Sequence, residues 1–267
     1  MNPLLPSFWA ASLVLLLPLP KEARAQSWQL VEETRQSERT SPAGISYRKR
    51  SIRSPEGKLA TVQLVFFNSR QFKLEVVDLG NGNAPDYPSI PHALRAAGCI
   101  AGVNGGFFHP DFRPAGLVIA QGKRIHRFES AKLLSGVVYC DDRGIHIVRR
   151  AAFQDHSGIT ALLQTGPYLM EAGSPVRGLS KENPRRRTFI ATDWRGNWAL
   201  GLTSSLSLHQ LASLLDSSKT VTGWTVNRAI NLDGGSSSAL YFEEDSGLSI
   251  SALNWKRVRN ALGVSLK

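Results

Sequence analysis

The alternation of apolar and polar side chains marks most of the chain as strand. Segments 45–53, 60–68 and 72–79 are rich in β-branched and aromatic residues with a partial period of two, the pattern of a half-buried strand. Gly80-Asn81-Gly82-Asn83, with Pro85 and Pro88 after it, breaks that pattern and predicts a loop. Segment 91–97 predicts a short helix, with Pro91 near its start. Ile100-Ala101-Gly102-Val103 predicts a buried strand running straight into Asn104-Gly105-Gly106-Phe107-Phe108. Hairpins are predicted over 117–125, 134–148 and 187–202. They turn at Gln121-Gly122, Asp142-Arg143-Gly144 and Trp194-Arg195-Gly196, where glycine accepts the positive φ of a tight hairpin. One helix is strongly marked. Ser207-Leu208-His209-Gln210 is a capping box, and Leu208, Leu211, Leu214 and Leu215 follow as an apolar stripe at helical spacing. Ala229-Ile230-Asn231-Leu232 predicts a short buried strand that empties into Asp233-Gly234-Gly235, and 259–266 predicts a closing strand. The expected fold class is α+β, strand-dominated mixed sheets with a few helices in a single domain.

The first 25 residues change the count of what folds. An apolar run from Phe8 to Leu19 ends in Ala23-Arg24-Ala25, the small-x-small pattern of signal-peptide cleavage. The run is shorter than the roughly 20 residues of a membrane span. The expected organisation is a signal peptide at 1–25, a polar lead-in at 26–44 and one domain at 45–267. An uncleaved N-terminal anchor is the alternative, since no Lys or Arg precedes the apolar run. The expected location is periplasmic or secreted, with no stable membrane insertion after cleavage. The whole chain of 267 residues carries +11. The signal removes Lys21, Glu22 and Arg24, which leaves +10 on the mature protein. A basic surface attracts polyanions, among them nucleic acid, teichoic acid, lipopolysaccharide and other phosphate-bearing glycans; export favours the cell-envelope polymers over nucleic acid. Cys99 and Cys140 are the two cysteines, open to one disulfide or to two buried thiols. They exclude a Cys-rich zinc site.

Two segments share a design that points to chemistry. Each is a buried strand that presents a polar tip, Asn104 or Asp233, followed by two glycines, Gly105-Gly106 or Gly234-Gly235. Glycine tolerates positive φ and lets a ligand approach backbone N–H groups, and successive N–H groups form a nest for an anion. Ser236 and Ser237 add hydroxyl donors to the second segment. Gly-x-Ser-x-Gly is absent, which argues against a serine hydrolase elbow.

At these residues the sequence resembles the phosphodiester glycosidase family. Asn104-Gly105-Gly106-Phe107-Phe108 and Asn231-Leu232-Asp233-Gly234-Gly235-Ser236-Ser237 are similar to its two signature motifs. Pro114-Ala115-Gly116, Thr165-Gly166-Pro167, Asn183-Pro184 through Arg187-Thr188, and Arg259-Asn260-Ala261-Leu262 follow in the family's order. Two departures are plain. Gly201-Leu202-Thr203-Ser204 stands where many members carry Asp-Gly, and Arg185-Arg186-Arg187 where one Arg is usual. The resemblance implies an exported bacterial-type enzyme that hydrolyses the C1–O bond of a sugar 1-phosphodiester. Asp233, Asn104 and Arg187 are the expected catalytic residues. Asp233 would activate water, stabilise the sugar cation or bind metal, Asn104 would orient the sugar or offer its carbonyl to a metal, and Arg187 would clamp the phosphate. Gly105, Gly106, Phe107, Thr165, Gly166, Thr188, Gly234, Gly235, Ser236 and Ser237 are the expected substrate contacts. Ca²⁺ or Mg²⁺ would suit the oxygens of Asp233 and Asn104, although no complete metal loop is present. A non-catalytic binder of anionic glycan and a metal-assisted phosphodiesterase cleaving P–O are the competing readings.

Overall fold

The computed structural model describes residues 27–33, 38–41, 43–81, 84–244, 246–254 and 256–267. The predicted signal peptide and its cleavage site at Ala25-Gln26 lie outside the described residues. Among the described residues no helix is long and apolar enough to cross a membrane.

Three large antiparallel sheets build the described part of the molecule, and a two-stranded pair, Gly80–Asn81 with Ala84–Pro85, forms in the segment read as a loop. The largest has nine strands, ordered Gln29–Glu32, Ser46–Arg53, Leu59–Asn68, Asn197–Leu206, Arg185–Thr192, Arg228–Asn231, Tyr168–Glu171 and Ser174–Pro175, with Glu38–Thr40 added on Ser46–Arg53. A five-stranded sheet runs Ser249–Ala252, Leu240–Glu243, Ala101–Asn104, Asn260–Leu266 and Phe72–Asp78. The third, also five-stranded, runs Lys123–His126, Val118–Ala120, Ala161–Thr165, Gly136–Asp141 and Gly144–Arg149. Their inner faces meet in one core that includes Val65, Val103, Ile147, Leu163, Ile190, Leu200, Ile230 and Val264. Sequestering such side chains is the main favourable term in folding.

Helices close the outer faces. Leu208–Asp216 lays Leu211, Leu214 and Leu215 on the back of the large sheet. Both halves of the Ser207–Gln210 capping box are formed, so the sequence signal and the structure coincide. Ile90–Ala96 covers the second sheet through Ile90, Ala93 and Leu94. The fold class is α+β and strand-dominated, as the patterning predicts.

The stretch read as a loose polar lead-in differs from that expectation. Trp28 is buried, and its indole Nε1 donates to Ser213 Oγ at 3.3 Å. Gln29–Glu32 and Glu38–Thr40 both pair with Ser46–Arg53. Every side chain of Gln29–Glu32 is exposed, so there is no buried face to print an alternation on the sequence; backbone pairing, the Trp28 indole and the Arg50–Glu33 ion pair hold the segment. Cys99 and Cys140 are free, buried thiols. Burial pushes the Cys99 thiol up to about 12, which leaves it protonated at neutral pH.

Candidate active site

The two Gly-Gly turns are joined directly. Strand Ala101–Asn104 lies between Leu240–Glu243 and Asn260–Leu266 in the second sheet, and Arg228–Asn231 lies beside Arg185–Thr192 in the first. Their tips meet where the sheets abut. Asp233 N donates to Gly105 O at 3.1 Å, and Asn104 Nδ2 donates to Asp233 O at 2.8 Å.

Asn104 is fully buried, and its amide is committed. Its Oδ1 accepts from Thr188 Oγ1 at 2.7 Å and from Ala239 N at 3.0 Å. One side chain therefore ties together the first motif, the Arg-Thr hairpin and the end of the second motif. Both acceptor positions on Oδ1 are occupied, so it has none to offer to a sugar hydroxyl or a metal. Thr188 is spent on the same bond. Thr165 is also fully buried, and its hydroxyl donates to Asn231 O at 2.9 Å. Gly166 O accepts from Asn231 Nδ2 at 2.9 Å. Thr165, Gly166 and Thr188, expected as substrate contacts, brace the strand that presents Asp233.

The first turn is not an open anion nest. Gly105 N donates to Asn260 O at 2.9 Å and Gly106 N to Asn260 Oδ1 at 2.8 Å. Neither glycine has positive φ. Gly105 is glycine for a steric reason: a Cβ there would stand 2.0 Å from Asn260 Oδ1. Phe107 follows, half-buried, with its carbonyl accepting from Ala115 N at 2.9 Å.

The second turn is more open. Asp233, Gly234, Gly235 and Ser236 are all partly exposed. Gly235 takes φ +67, while Gly234 packs against the chain, where a Cβ would meet Arg186 O at 2.8 Å. The N–H groups of Gly235 and Ser236 make no hydrogen bond within the described residues. Asp233 Oδ1 accepts from Gly234 N at 2.8 Å. Burial raises the Asp233 carboxyl above its ordinary value, opposed by the Ser237 hydroxyl, the Gly234 N–H and the charge of Arg185. A desolvated carboxylate at a turn tip, held by two local donors, is suited to proton transfer.

The three consecutive arginines divide in a way their spacing does not reveal. Arg187 is buried; its Nε donates to Leu206 O at 2.8 Å and an Nη to Asn183 O at 3.0 Å. Burial, with the neighbouring Arg185 charge, brings its guanidinium down to about 10, still a cation at neutral pH. Arg187 thus packs beside Gly234, where a Cβ would lie 3.9 Å from its Cδ, with two of its donors already used. Arg186 reaches Leu253 O at 3.3 Å. Arg185 is exposed, and a Cβ on Gly235 would lie 3.7 Å from its Cδ. A register shift between Arg185 and Arg187 in the pairing with Asn197–Leu206 accompanies this division; such bulges re-aim side chains beside sites.

Asn260 and Arg185 are the residues that sequence reasoning missed. The only prior signal for Arg185 was the arginine run, which equally fits a solvated face; Asn260 stood inside a resembling segment with no role attached. Three of the buried side-chain polar atoms without a partner among the described residues cluster here: Asn231 Oδ1, Ser238 Oγ and Asn260 Nδ2. Unpaired buried groups each cost about 1–3 kcal/mol, and in folded proteins they mark strained or functional places.

Known proteins share this fold. The structure is similar to the zebrafish N-acetylglucosamine-1-phosphodiester alpha-N-acetylglucosaminidase catalytic domain auto-inhibited by its pro-peptide. The match has 16% identity and a TM-score of 0.62, and covers 90% of this chain and 88% of that one. It is also similar to a hypothetical protein from Synechocystis at 17% identity and TM-score 0.56, covering 84% of this chain and 62% of that one. At such identities these likenesses speak for the fold. Comparison with curated proteins gives no match. The profile of the phosphodiester glycosidase (NAGPA) family matches residues 97–265, a span containing both Gly-Gly turns and the arginine hairpin, and the chain therefore belongs to that family.

Proposed function

We propose that this protein hydrolyses the bond between C1 of a sugar and a phosphodiester oxygen, in a phosphate-bearing glycan of the cell envelope or an exopolysaccharide. One observation carries the assignment of roles: the partly exposed Asp233 carboxyl, raised by burial, stands at the junction of the two motif turns, near Arg185 and the N–H groups of Gly235 and Ser236, which make no hydrogen bond among the described residues. The departing group is a phosphomonoester, far less basic than an alkoxide, so strong protonation of its oxygen is unnecessary. The site must hold the phosphate and stabilise an oxocarbenium-like sugar. Arg185, with the two N–H groups, holds the phosphate oxygens. Asp233 faces C1, stabilises the developing cation and takes a proton from the attacking water. The water oxygen bonds to C1, and the C1–O pair leaves on the phosphate. Phe107, half-buried after the first turn, offers a ring face to the sugar.

Arg187 and Asn104 are positioning residues in this account. Arg187 commits its Nε and one Nη donor to Leu206 O and Asn183 O, and Asn104 commits its amide oxygen to Thr188 Oγ1 and Ala239 N. The residues do not fit a hard cation held between Asp233 and Asn104, because Asn104 Oδ1 already accepts twice, and no step is routed through a metal. The apolar run and cleavage pattern of residues 1–25 support an exported enzyme, and the basic charge supports an anionic substrate.

The direct test is product analysis with a panel of sugar 1-phosphodiesters. Free reducing sugar and a phosphomonoester are the expected products. Release of sugar 1-phosphate would place the cut on the far side of phosphorus and overturn the assignment. Retained binding of anionic glycan with no turnover on the whole panel would leave a binding protein.

A further inference from the structure

A groove of about 270 Å³ opens beside the second turn. Its wall belongs to the active-site framework, since Lys256 N donates to Ser236 O at 3.3 Å and Arg186 donates to Leu253 O at 3.3 Å. Leu79, Tyr87, Ile90, Leu253 and Val258 line it with apolar surface. Lys256 and Arg257 stand among the lining residues as its cations. Leu253 is 57% exposed and Tyr87 is half-buried, so these two side chains are open to a ligand, while Leu79, Ile90 and Val258 back the groove from the core.

We propose that this groove is the leaving-group subsite and takes an apolar alcohol carried on the phosphate, a lipid-type chain. The proposal rests on the phosphodiester glycosidase reading of the neighbouring turn and adds the chemistry of the aglycone. Two features argue for that occupant. The groove adjoins the turn assigned to hold phosphate through the Lys256 N–Ser236 O bond, so a group esterified to that phosphate on the side away from the sugar would extend toward it. Its composition is that of an amphiphile site: cations beside an apolar wall match a phosphate followed by hydrocarbon. Among the described uncharged lining residues Tyr87, Ser89 and Asn254 carry the hydrogen-bonding side chains, a sparser set than a sugar aglycone calls for.

The test uses the leaving-group products, and so does not depend on knowing the sugar. Methyl phosphate, hexyl phosphate and glucose 6-phosphate are titrated calorimetrically into the mature protein. Hexyl phosphate is expected to bind at least tenfold tighter than methyl phosphate and tighter than glucose 6-phosphate. Tenfold is about 1.4 kcal/mol, which roughly two buried methylenes supply. Leu253→Ser, a surface change, and Tyr87→Ser are expected to bring the hexyl-to-methyl ratio toward one. Equal binding of the two alkyl phosphates, a hexyl preference that survives both substitutions, or preference for glucose 6-phosphate would overturn the lipid-type subsite while leaving the phosphate site intact. Absence of binding by all three phosphates, together with no turnover of sugar phosphodiesters, would instead sink the underlying reading and this subsite with it.

Discussion

Asp233 carries the chemistry in this account because its position is costly for a carboxylate. Burial raises its proton affinity in the folded state. Its contribution to stability is therefore full below the ordinary aspartate value and is lost as pH rises through the raised value. Above that point the ionised group works against the fold. Asp233→Asn is expected to lose over 100-fold in turnover, a typical loss for a key catalytic or electrostatic group. The same substitution is expected to raise the melting temperature at pH 7. A variant with near-normal turnover and an unchanged circular dichroism spectrum would remove Asp233 from the mechanism. The acid limb of the kcat/KM profile is expected to fall at a pKa above that of an ordinary aspartate, and a pH titration of the initial rate checks it. Arg185→Ala should raise KM for phosphodiesters at least tenfold with thermal unfolding unchanged, since the side chain is exposed. At this scale the sequence was partly legible. A polar tip before two glycines singled out Asn104 and Asp233, and the family resemblance gave them weight. It did not separate their duties, because whether an amide faces a ligand or three protein partners depends on strands far away in the chain. Nor did it distinguish Arg185 from Arg187, which differ only in what lies opposite.

At the scale of elements, local signals performed well where the reason for an element is local. The capping box, the apolar stripe after it and the glycine-containing hairpin turns all appear where the pattern placed them. Ser207→Ala is expected to cost about 1 kcal/mol, the usual loss of an N-cap, read as a lower urea midpoint with the slope unchanged. Elements held by distant partners were not legible. Gln29–Glu32 has no buried face to write into the sequence. Positive φ, the cause read from the sequence, holds at Gly235 but not at Gly105 or Gly234. Gly105 is required by the approach of Asn260, and Gly234 by the carbonyl of Arg186. Gly105→Ala is thus expected to destabilise by about 1–3 kcal/mol, as overpacking does, because Asn260 is pinned by two bonds and cannot yield cheaply. A melting curve indistinguishable from wild type would show that the clamp is loose.

The whole molecule explains why two short motifs, separated by 129 residues at the Asn104–Asp233 bond, make one place. The strand ending in Asn104 is central in one sheet, the strand before Asp233 is internal to another, and both point their ends at the seam. Periodicity supplies each strand but not the pairing order; the juxtaposition came only through resemblance to a family. Net charge acts at this scale too. With +11 on the full chain, association with a polyanionic glycan is expected to weaken severalfold as salt rises from 0.05 to about 0.5 M, while turnover of a small, singly charged diester changes little.

The central claim is that the seam is built to break the bond at the sugar carbon. Both C–O and P–O cleavage between sugar and phosphate yield the same sugar and the same phosphomonoester, so hydrolysis in ¹⁸O-labelled water with mass analysis of both products decides between them. The account predicts the label on C1 of the released sugar, measured before anomeric exchange, with unlabelled phosphate. Label on the phosphomonoester would mean attack at phosphorus and would contradict it.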